Sequence, residues 1–318
     1  MKIKRVLVTG GEGYVGSSLV PALLDLGYLV RSVDIGWFGT YLANNENLER
    51  IIGDIREIQP DWFNGVDSVI HLANVANDPG VELDPVLSWE VNVLAGRNLI
   101  HQAIKSGVSQ FVYASSGSVY GVSDAPKVTE EIDPVPISTY NKTKMVAERV
   151  FLSFKDDIRV HCLRPATTCG FSPRMRLDVA VNLLTMHAYL KKKISVLGGD
   201  QIRPNIHIKD MVRAYLHFLD KPDLPHGAYN VGFENLSILE IAQMVGDRTG
   251  AEIERLPSND PRSYRQDSSK LLETGFSPAF TVRDAIDEML GLWSNGEIQD
   301  REDWYTVKSM RRILQPHQ

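Results

Sequence analysis

Tyr140 and Lys144 stand four residues apart in Tyr140-Asn141-Lys142-Thr143-Lys144. On a helix that spacing places both side chains on one face. A tyrosine ionises near pH 10, so it serves as a base at pH 7 only if its phenolate is favoured by about 3 pH units, or roughly 4 kcal/mol. A lysine ammonium one turn away supplies part of that field. Tyr189 and Lys193 have the same spacing, but they lie in a lysine run and read as a solvated helix face. Tyr140 differs by context. It follows Ser115-Ser116 by 24 residues, and those serines close the apolar run 111–114.

A second group could hold phosphate. The run Val6-Leu7-Val8 passes into Thr9-Gly10-Gly11-Glu12-Gly13-Tyr14-Val15-Gly16, and an apolar helical pattern follows. Glycine is needed there for a tight turn, for close backbone approach to a pyrophosphate and for close packing of helix on strand. The helix N-terminus then offers free N–H groups to the phosphates. Asp34 ends the second strand-like run, 24 residues after Gly10. A carboxylate there accepts hydrogen bonds from both ribose hydroxyls and repels a 2′-phosphate, which favours NAD over NADP. Gly53-Asp54-Ile55 follows a third such run, where an aspartate can reach the adenine edge.

The elements that must carry these residues alternate. Residues 5–8, 29–33, 68–72, 110–114 and 158–163 read as buried strands, and 15–26, 91–106 and 140–154 as helices. Unbroken apolar strands separated by helices predict an α/β fold, a doubly wound parallel sheet with helices on both faces. Ligands bind such sheets at the carboxyl ends of the strands, where Gly10, Asp34 and Ser116 all fall. The second half is less regular, with helices expected over 179–192, 210–219, 237–249 and 281–293 and a short strand over 229–232. Ser237 with Glu240 reads as a capping box. The tail after Gly296 has mixed charge, compatible with packing or with solvent. The expected division is residues 1–169 for a dinucleotide domain, 170–296 mainly for a substrate domain with some segments returning to the first, and 297–318 for a tail.

Composition narrows the choices. The 318 residues are 43% hydrophobic and 23% charged, an ordinary globular balance. A net charge of −6 gives no electrostatic case for a nucleic-acid partner. Cys162 and Cys169 are too few for a disulfide framework or a structural zinc site, and no metal site is expected. His71 has no metal-ligand spacing around it and reads as a strand-end residue oriented by hydrogen bonds. No apolar run reaches the ~20 residues of a membrane span, and the first strand is cut by Gly10 too early for a secretory signal. A cytoplasmic protein without a membrane partner is the expectation.

Taken in order, Thr9-Gly10-x-x-Gly13-x-x-Gly16, Asp34, Gly53-Asp54-Ile55, His71-Leu72-Ala73, Asn92, Ser115-Ser116-x-x-Val119-Tyr120-Gly121, Tyr140-x-x-x-Lys144 and Leu163-Arg164-Pro165 resemble the extended short-chain dehydrogenase/reductases. Within them the chain is similar to the NAD-dependent sugar-nucleotide epimerases and dehydratases, UDP-galactose 4-epimerase among them. The likeness spans about residues 3–290. It implies a Rossmann domain with a smaller C-terminal substrate domain, usually assembled as a homodimer through helices of the first domain. By the same likeness, Ser116, Tyr140 and Lys144 are catalytic. Tyr140 removes a proton from a sugar hydroxyl at C4, Ser116 shares the proton path, and Lys144 also holds the nicotinamide ribose. Gly10, Gly13, Tyr14, Val15, Gly16, Asp34, Asp54, Ile55, Leu72, Ala73, Asn92 and Pro165 are the implied cofactor contacts, together with Tyr140 and Lys144. A nucleotide-diphosphate sugar is the implied partner.

Two departures bear on the outcome. The 4-epimerase carries a cofactor-contacting lysine where Val75-Ala76-Asn77 stands here, and the 4,6-dehydratases carry an Asp-Glu pair where Gly117-Ser118 follow Ser116. The second absence disfavours dehydration. The run Gly170-Phe171-Ser172-Pro173-Arg174-Met175-Arg176 resembles a subgroup that includes enzymes of activated heptoses and hexoses. Arg203, four residues before His207, matches the family's diphosphate arginine, and Arg262 falls where another is supplied. Guanidinium groups suit phosphate geometry. By the same likeness, Ser116, Thr167, Arg174, Arg176, Asn182, Arg203 and Arg262 are the expected substrate contacts. The leading expectation is an epimerase acting by transient C4 oxidation. A 4-dehydrogenase or 4-ketoreductase is the alternative within the same chemistry, and a reductase of a non-sugar carbonyl is a weaker one. A non-catalytic NAD-sensing protein is the alternative outside enzymes, against which Tyr140 and Lys144 count.

Overall fold

The computed structural model describes residues 3–258 and 262–314. Its main sheet has seven parallel strands in the order β10-β6-β5-β4-β1-β2-β3. They are β1 Arg5–Thr9, β2 Leu29–Asp34, β3 Leu48–Ile52, β4 Ser68–His71, β5 Gln110–Ala114, β6 Arg159–Pro165 and β10 Gly227–Val231. Successive side chains alternate between faces. Val6 and Val8 enter one apolar layer with Leu19, Ile70 and Val112. Leu7 enters the opposite layer with Val69, Phe111 and Phe151. Both faces are covered, which is why the strands read as unbroken apolar runs.

The chain builds outward from β1 through β2 to β3, then crosses back to place β4 on the other side of β1. That reversal leaves a crevice at the carboxyl ends of β1 and β4. Four smaller strands, β7 Thr167–Cys169, β8 Lys193–Leu197, β9 Ile202–His207 and β11 Glu234–Ser237, lie beyond it with β12 Glu252–Leu256. They form the sheet β11-β9-β7 and the pair β12-β8. A separate core joins them to the helices Ala180–Lys191, Ile238–Thr249 and Val282–Ser294. The capping box at Ser237 and Glu240 is formed. Two segments of the second half pack on the first: β10 adds to the edge of the main sheet, and the helix Ile208–Asp220 lies against Gly16–Asp25.

The tail packs as well. Trp304 is buried and its carbonyl accepts from the Leu177 N–H at 2.9 Å. The helix Thr306–Leu314 rests on the segment Asp78–Val81. Its charged residues hid this in the sequence, because only Thr306, Ser309 and Met310 of that helix are buried.

Two buried histidines make the fold acid-sensitive. Burial pulls His71 down to about 3 and His161 down to about 4. In the unfolded chain both take up a proton near pH 6.5. Stability present above pH 6.5 is therefore lost as pH falls through the window toward those lowered values, by up to about 1.4 kcal/mol per pH unit for each histidine. Urea midpoints measured from pH 7 to pH 5 should fall, and less steeply in a His71→Gln variant. Equal slopes for the two proteins would contradict the assignment.

Candidate active site

A cavity of about 700 Å³ opens at the carboxyl ends of β1 and β4. Its walls include Gly10, Gly13, Asp34 and Asp54, the group Ser116, Tyr140 and Lys144, and the group Arg203, Arg262 and Tyr264.

Position follows from local structure at each point. Ser138 caps the helix Thr139–Leu152 through the Asn141 N–H, and that start presents Tyr140 and Lys144 together. Lys144 is 2% exposed; its Nζ donates to the Ala114 carbonyl at 2.7 Å and lies 5.9 Å from the Tyr140 ring centroid. No carboxylate pairs with it among the described residues, and burial pulls its ammonium down to about 7. Burial pushes the Tyr140 phenol up to about 12, while the Arg176 charge and the Ser116 hydroxyl draw it back. Ser116 begins the turn Gly117–Tyr120, where its Oγ lies 2.7 Å from Ser118 Oγ.

Beneath this group lies a buried ion pair. The Arg164 guanidinium donates to both Glu148 oxygens at 2.5 and 3.0 Å and to the Tyr120 hydroxyl at 2.6 Å. Ser115 Oγ donates to Glu148 Oε2 at 2.6 Å. The pair thus fixes the end of β5 to the Tyr140 helix.

The glycine loop fits a dinucleotide. A Cβ on Gly16 would meet the Gly10 carbonyl at 2.2 Å, and Gly10 itself has φ +79° with the Ala73 backbone 2.7 Å from where a Cβ would stand. The loop is therefore held open against the sheet by the absence of side chains. Asp34 receives the Glu12 and Gly36 N–H groups at 3.0 and 2.8 Å. Burial chiefly raises its carboxyl, with those N–H groups and the Arg174 charge opposing. Asp54 caps the short turn Ile55–Glu57 and pairs with Arg56 at 2.6 Å. Val15, Ile55, Leu72, Ala73, Pro165 and Thr167 also face the cavity.

Three expected contacts are placed differently. Asn92 is buried off the cavity wall; it bonds both backbone groups of Val75 and the Thr143 hydroxyl at 2.7 to 3.1 Å. It ties the loop after β4 to the Tyr140 helix, and a π-helical turn over Glu90–Ala95 aims it. Asn182 is likewise enclosed, with its amide spent on Gly170 N, Arg176 O and the Tyr14 hydroxyl. Both amides are consumed inside the protein, so neither side chain is free for a ligand. The Tyr14 ring lines the cavity, but its hydroxyl points away, donating to Gly170 O at 2.7 Å.

The arginines divide. Arg176 pairs with Asp178 at 2.9 Å and its charge reaches the Tyr140 phenol. Arg262 pairs with Asp78, which also accepts from Ser138. Arg203 and Arg262 both act on the Tyr264 hydroxyl. Asp260 and Pro261, which precede Arg262 in the sequence, lie outside the described residues. Residues missed in the sequence include Asp78, Asp178 and Tyr264. Asn77-Asp78-Pro79 carried a helix-start signal, since Asn77 caps the turn through the Gly80 N–H. Phe38 and Thr306 carried none.

A parallel sheet wound in both directions, a glycine loop at its reversal point and a Tyr–Lys helix over one crevice define a dinucleotide-dependent dehydrogenase-type site. Residues 6–232 match the NAD dependent epimerase/dehydratase family, and the chain belongs to that family. Its coenzyme is accordingly NAD. It is 30% identical over 306 residues to the uncharacterized UDP-glucose epimerase YtcB of Bacillus subtilis, covering 89% of this chain and 95% of that one. It is 26% identical to UDP-glucuronic acid decarboxylase 1 of Danio rerio, over 92% of this chain and 73% of that protein. The uncharacterized protein y4nG of Sinorhizobium fredii is 30% identical over 80% of this chain, which spans 63% of that protein's length. Among solved structures, MoeE5 in complex with UDP-glucuronic acid and NAD superposes with a TM-score of 0.83 at 28% identity, over 92% of this chain and all of that one. No helix among the described residues is long and apolar enough to cross a membrane.

Proposed function

We propose that this chain is an NAD-dependent epimerase of a nucleotide-diphosphate sugar, acting by transient oxidation at C4. The observation that carries the reading is one cavity lined by the glycine loop, by Tyr140, Lys144 and Ser116, and by Arg203 and Arg262.

In this reading residues 1–169 mainly hold the coenzyme and 170–296 mainly the substrate. Asp34 takes the ribose hydroxyls, and Gly10, Gly13 and Gly16 give the pyrophosphate its approach. Tyr140 removes the proton from the C4 hydroxyl, Ser116 holds the same oxygen, the Arg176 charge and the Ser116 hydroxyl favour the phenolate, and Lys144 holds the nicotinamide ribose. When bound, NAD accepts the C4 hydride and returns it. Arg203 and Arg262 hold the diphosphate while the keto sugar turns its other face, and Tyr140 then gives the proton back. Dehydration is disfavoured electrostatically as well as by sequence. Asp78 and Asp178 line the cavity, and each is paired with an arginine. A homodimer is part of the proposal, supported by Val86 and Leu94, which are 69% and 58% exposed on the first domain's helices. A cytoplasmic location fits the two buried, unpaired cysteines.

Proton NMR of products after incubation with UDP-, GDP-, CDP- and dTDP-sugars tests the reading. One substrate should give the C4-inverted sugar with no net consumption of coenzyme. Stoichiometric NADH release with no inverted product would turn the assignment to a 4-dehydrogenase.

A further inference from the structure

Arg174 does not sit where a substrate-diphosphate arginine belongs. Its backbone N–H donates to Ser17 Oγ at 3.1 Å, in the first turn of the helix that follows the glycine loop. Neighbouring Ser172 bonds Ser17, Ser18 and the Tyr14 carbonyl at 2.7 to 2.9 Å. The segment is therefore fastened to the coenzyme loop. The guanidinium lies 4.1 Å from the Phe38 ring centroid, and its Nη2 donates to Thr306 Oγ1 at 3.3 Å.

This cation is only 2% exposed, lines the cavity, and makes no ion pair among the described residues. Its Nε is buried with no hydrogen-bond partner. Burial and then the Arg176 charge draw it down to about 10, so it remains charged at pH 7. The Asp178 and Asp303 charges reach it and oppose that shift, but neither carboxylate is in ion-pair contact with it, and a buried charge without such contact is unfavourable. The arrangement makes sense if an anion enters the cavity and pairs with it. Asp34 feels the Arg174 charge, whereas Tyr264 feels Arg203 and Arg262.

We propose that Arg174 binds the coenzyme's diphosphate rather than the substrate's, from a platform formed by Phe38 and Thr306. The proposal rests on the coenzyme reading above and assigns a residue to it. A guanidinium held over a ring and bonded to a hydroxyl has little freedom, and its remaining N–H groups suit phosphate oxygens. Because Thr306 belongs to the C-terminal helix, that helix contributes to coenzyme affinity.

The test is binding to the full chain, with NADH followed by fluorescence and ADP-ribose and UDP by calorimetry. Arg174→Met should weaken NADH and ADP-ribose at least about tenfold and leave UDP within about twofold. Arg174→Lys should recover part of the loss. Weakened UDP with unchanged NADH would return Arg174 to the substrate; no change, or equal loss of all three, would make it a structural cation. If Arg174→Met fails to fold, Arg174→Lys is read alone: a several-fold loss confined to NADH and ADP-ribose supports the proposal, and any other pattern overturns it. Wild-type binding of NADH tests the underlying coenzyme reading separately, because the Arg174 result is a ratio to wild type.

Discussion

Tyr140→Phe should slow hydride transfer by at least about two orders of magnitude, given the 10²–10⁴-fold worth of a positioned acid–base group. The substitution removes one oxygen and keeps the ring, so the helix and the cavity wall survive. In the proposed mechanism the lost atom takes the C4 proton, because Ser116 is too weak a base and Asp78 and Asp178 are held by arginines. Burial holds the phenol up at about 12, and the Arg176 charge and the Ser116 hydroxyl oppose that shift. The wild-type rate should therefore rise with pH below that value as the phenolate fraction grows, and the variant should lose this dependence. Single-turnover absorbance at 340 nm with a competent sugar nucleotide reads both effects. A variant that turns over at nearly the wild-type rate removes Tyr140 from the mechanism.

The second large effect is on stability. Glu148 and Arg164 are 3% and 4% exposed and serve each other, Ser115 and Tyr120. Glu148→Leu strands a guanidinium that cannot shed its charge. Removing one partner of a buried pair costs about 3–5 kcal/mol. The double variant Glu148→Leu with Arg164→Met removes both charges at similar volume and should recover most of the loss. Denaturant unfolding of the two variants checks this. A single variant within about 1 kcal/mol of wild type would mean that water or another carboxylate reaches Arg164. Activity should fall as well, because Ser115 loses the anchor that holds the end of β5.

The first half was legible because its signals are local and repeated. Strand, glycine turn and helix recur, and a sheet covered on both faces leaves unbroken apolar runs such as Val6-Leu7-Val8. The shared face of Tyr140 and Lys144 was legible for the same reason: a four-residue spacing on one helix fixes it whatever the surroundings. Roles set by distant contacts were less visible. Asn92 and Asn182 have suitable chemistry, but whether an amide faces a ligand or a backbone 17 or 12 residues away is decided by packing. Arg174 was read as a substrate group because its sequence neighbours suggested it. Its surroundings are Ser17, Phe38 and Thr306, from three separate stretches of chain. The short strands β7 to β9 were hidden because β7 has only three residues, β8 buries only Ile194 and Val196, and β9 carries the polar or strand-breaking residues Arg203, Pro204 and Asn205.

The matched family region ends at residue 232, yet Thr306 stands in the cavity wall beside Arg174, and Asp303 receives a hydrogen bond from Tyr41 at 2.8 Å. During synthesis the glycine loop leaves the ribosome first and the stretch around Thr306 some three hundred residues later. A chain cut before residue 297 would lack the cavity wall that Thr306 supplies and the partner that Asp303 gives Tyr41.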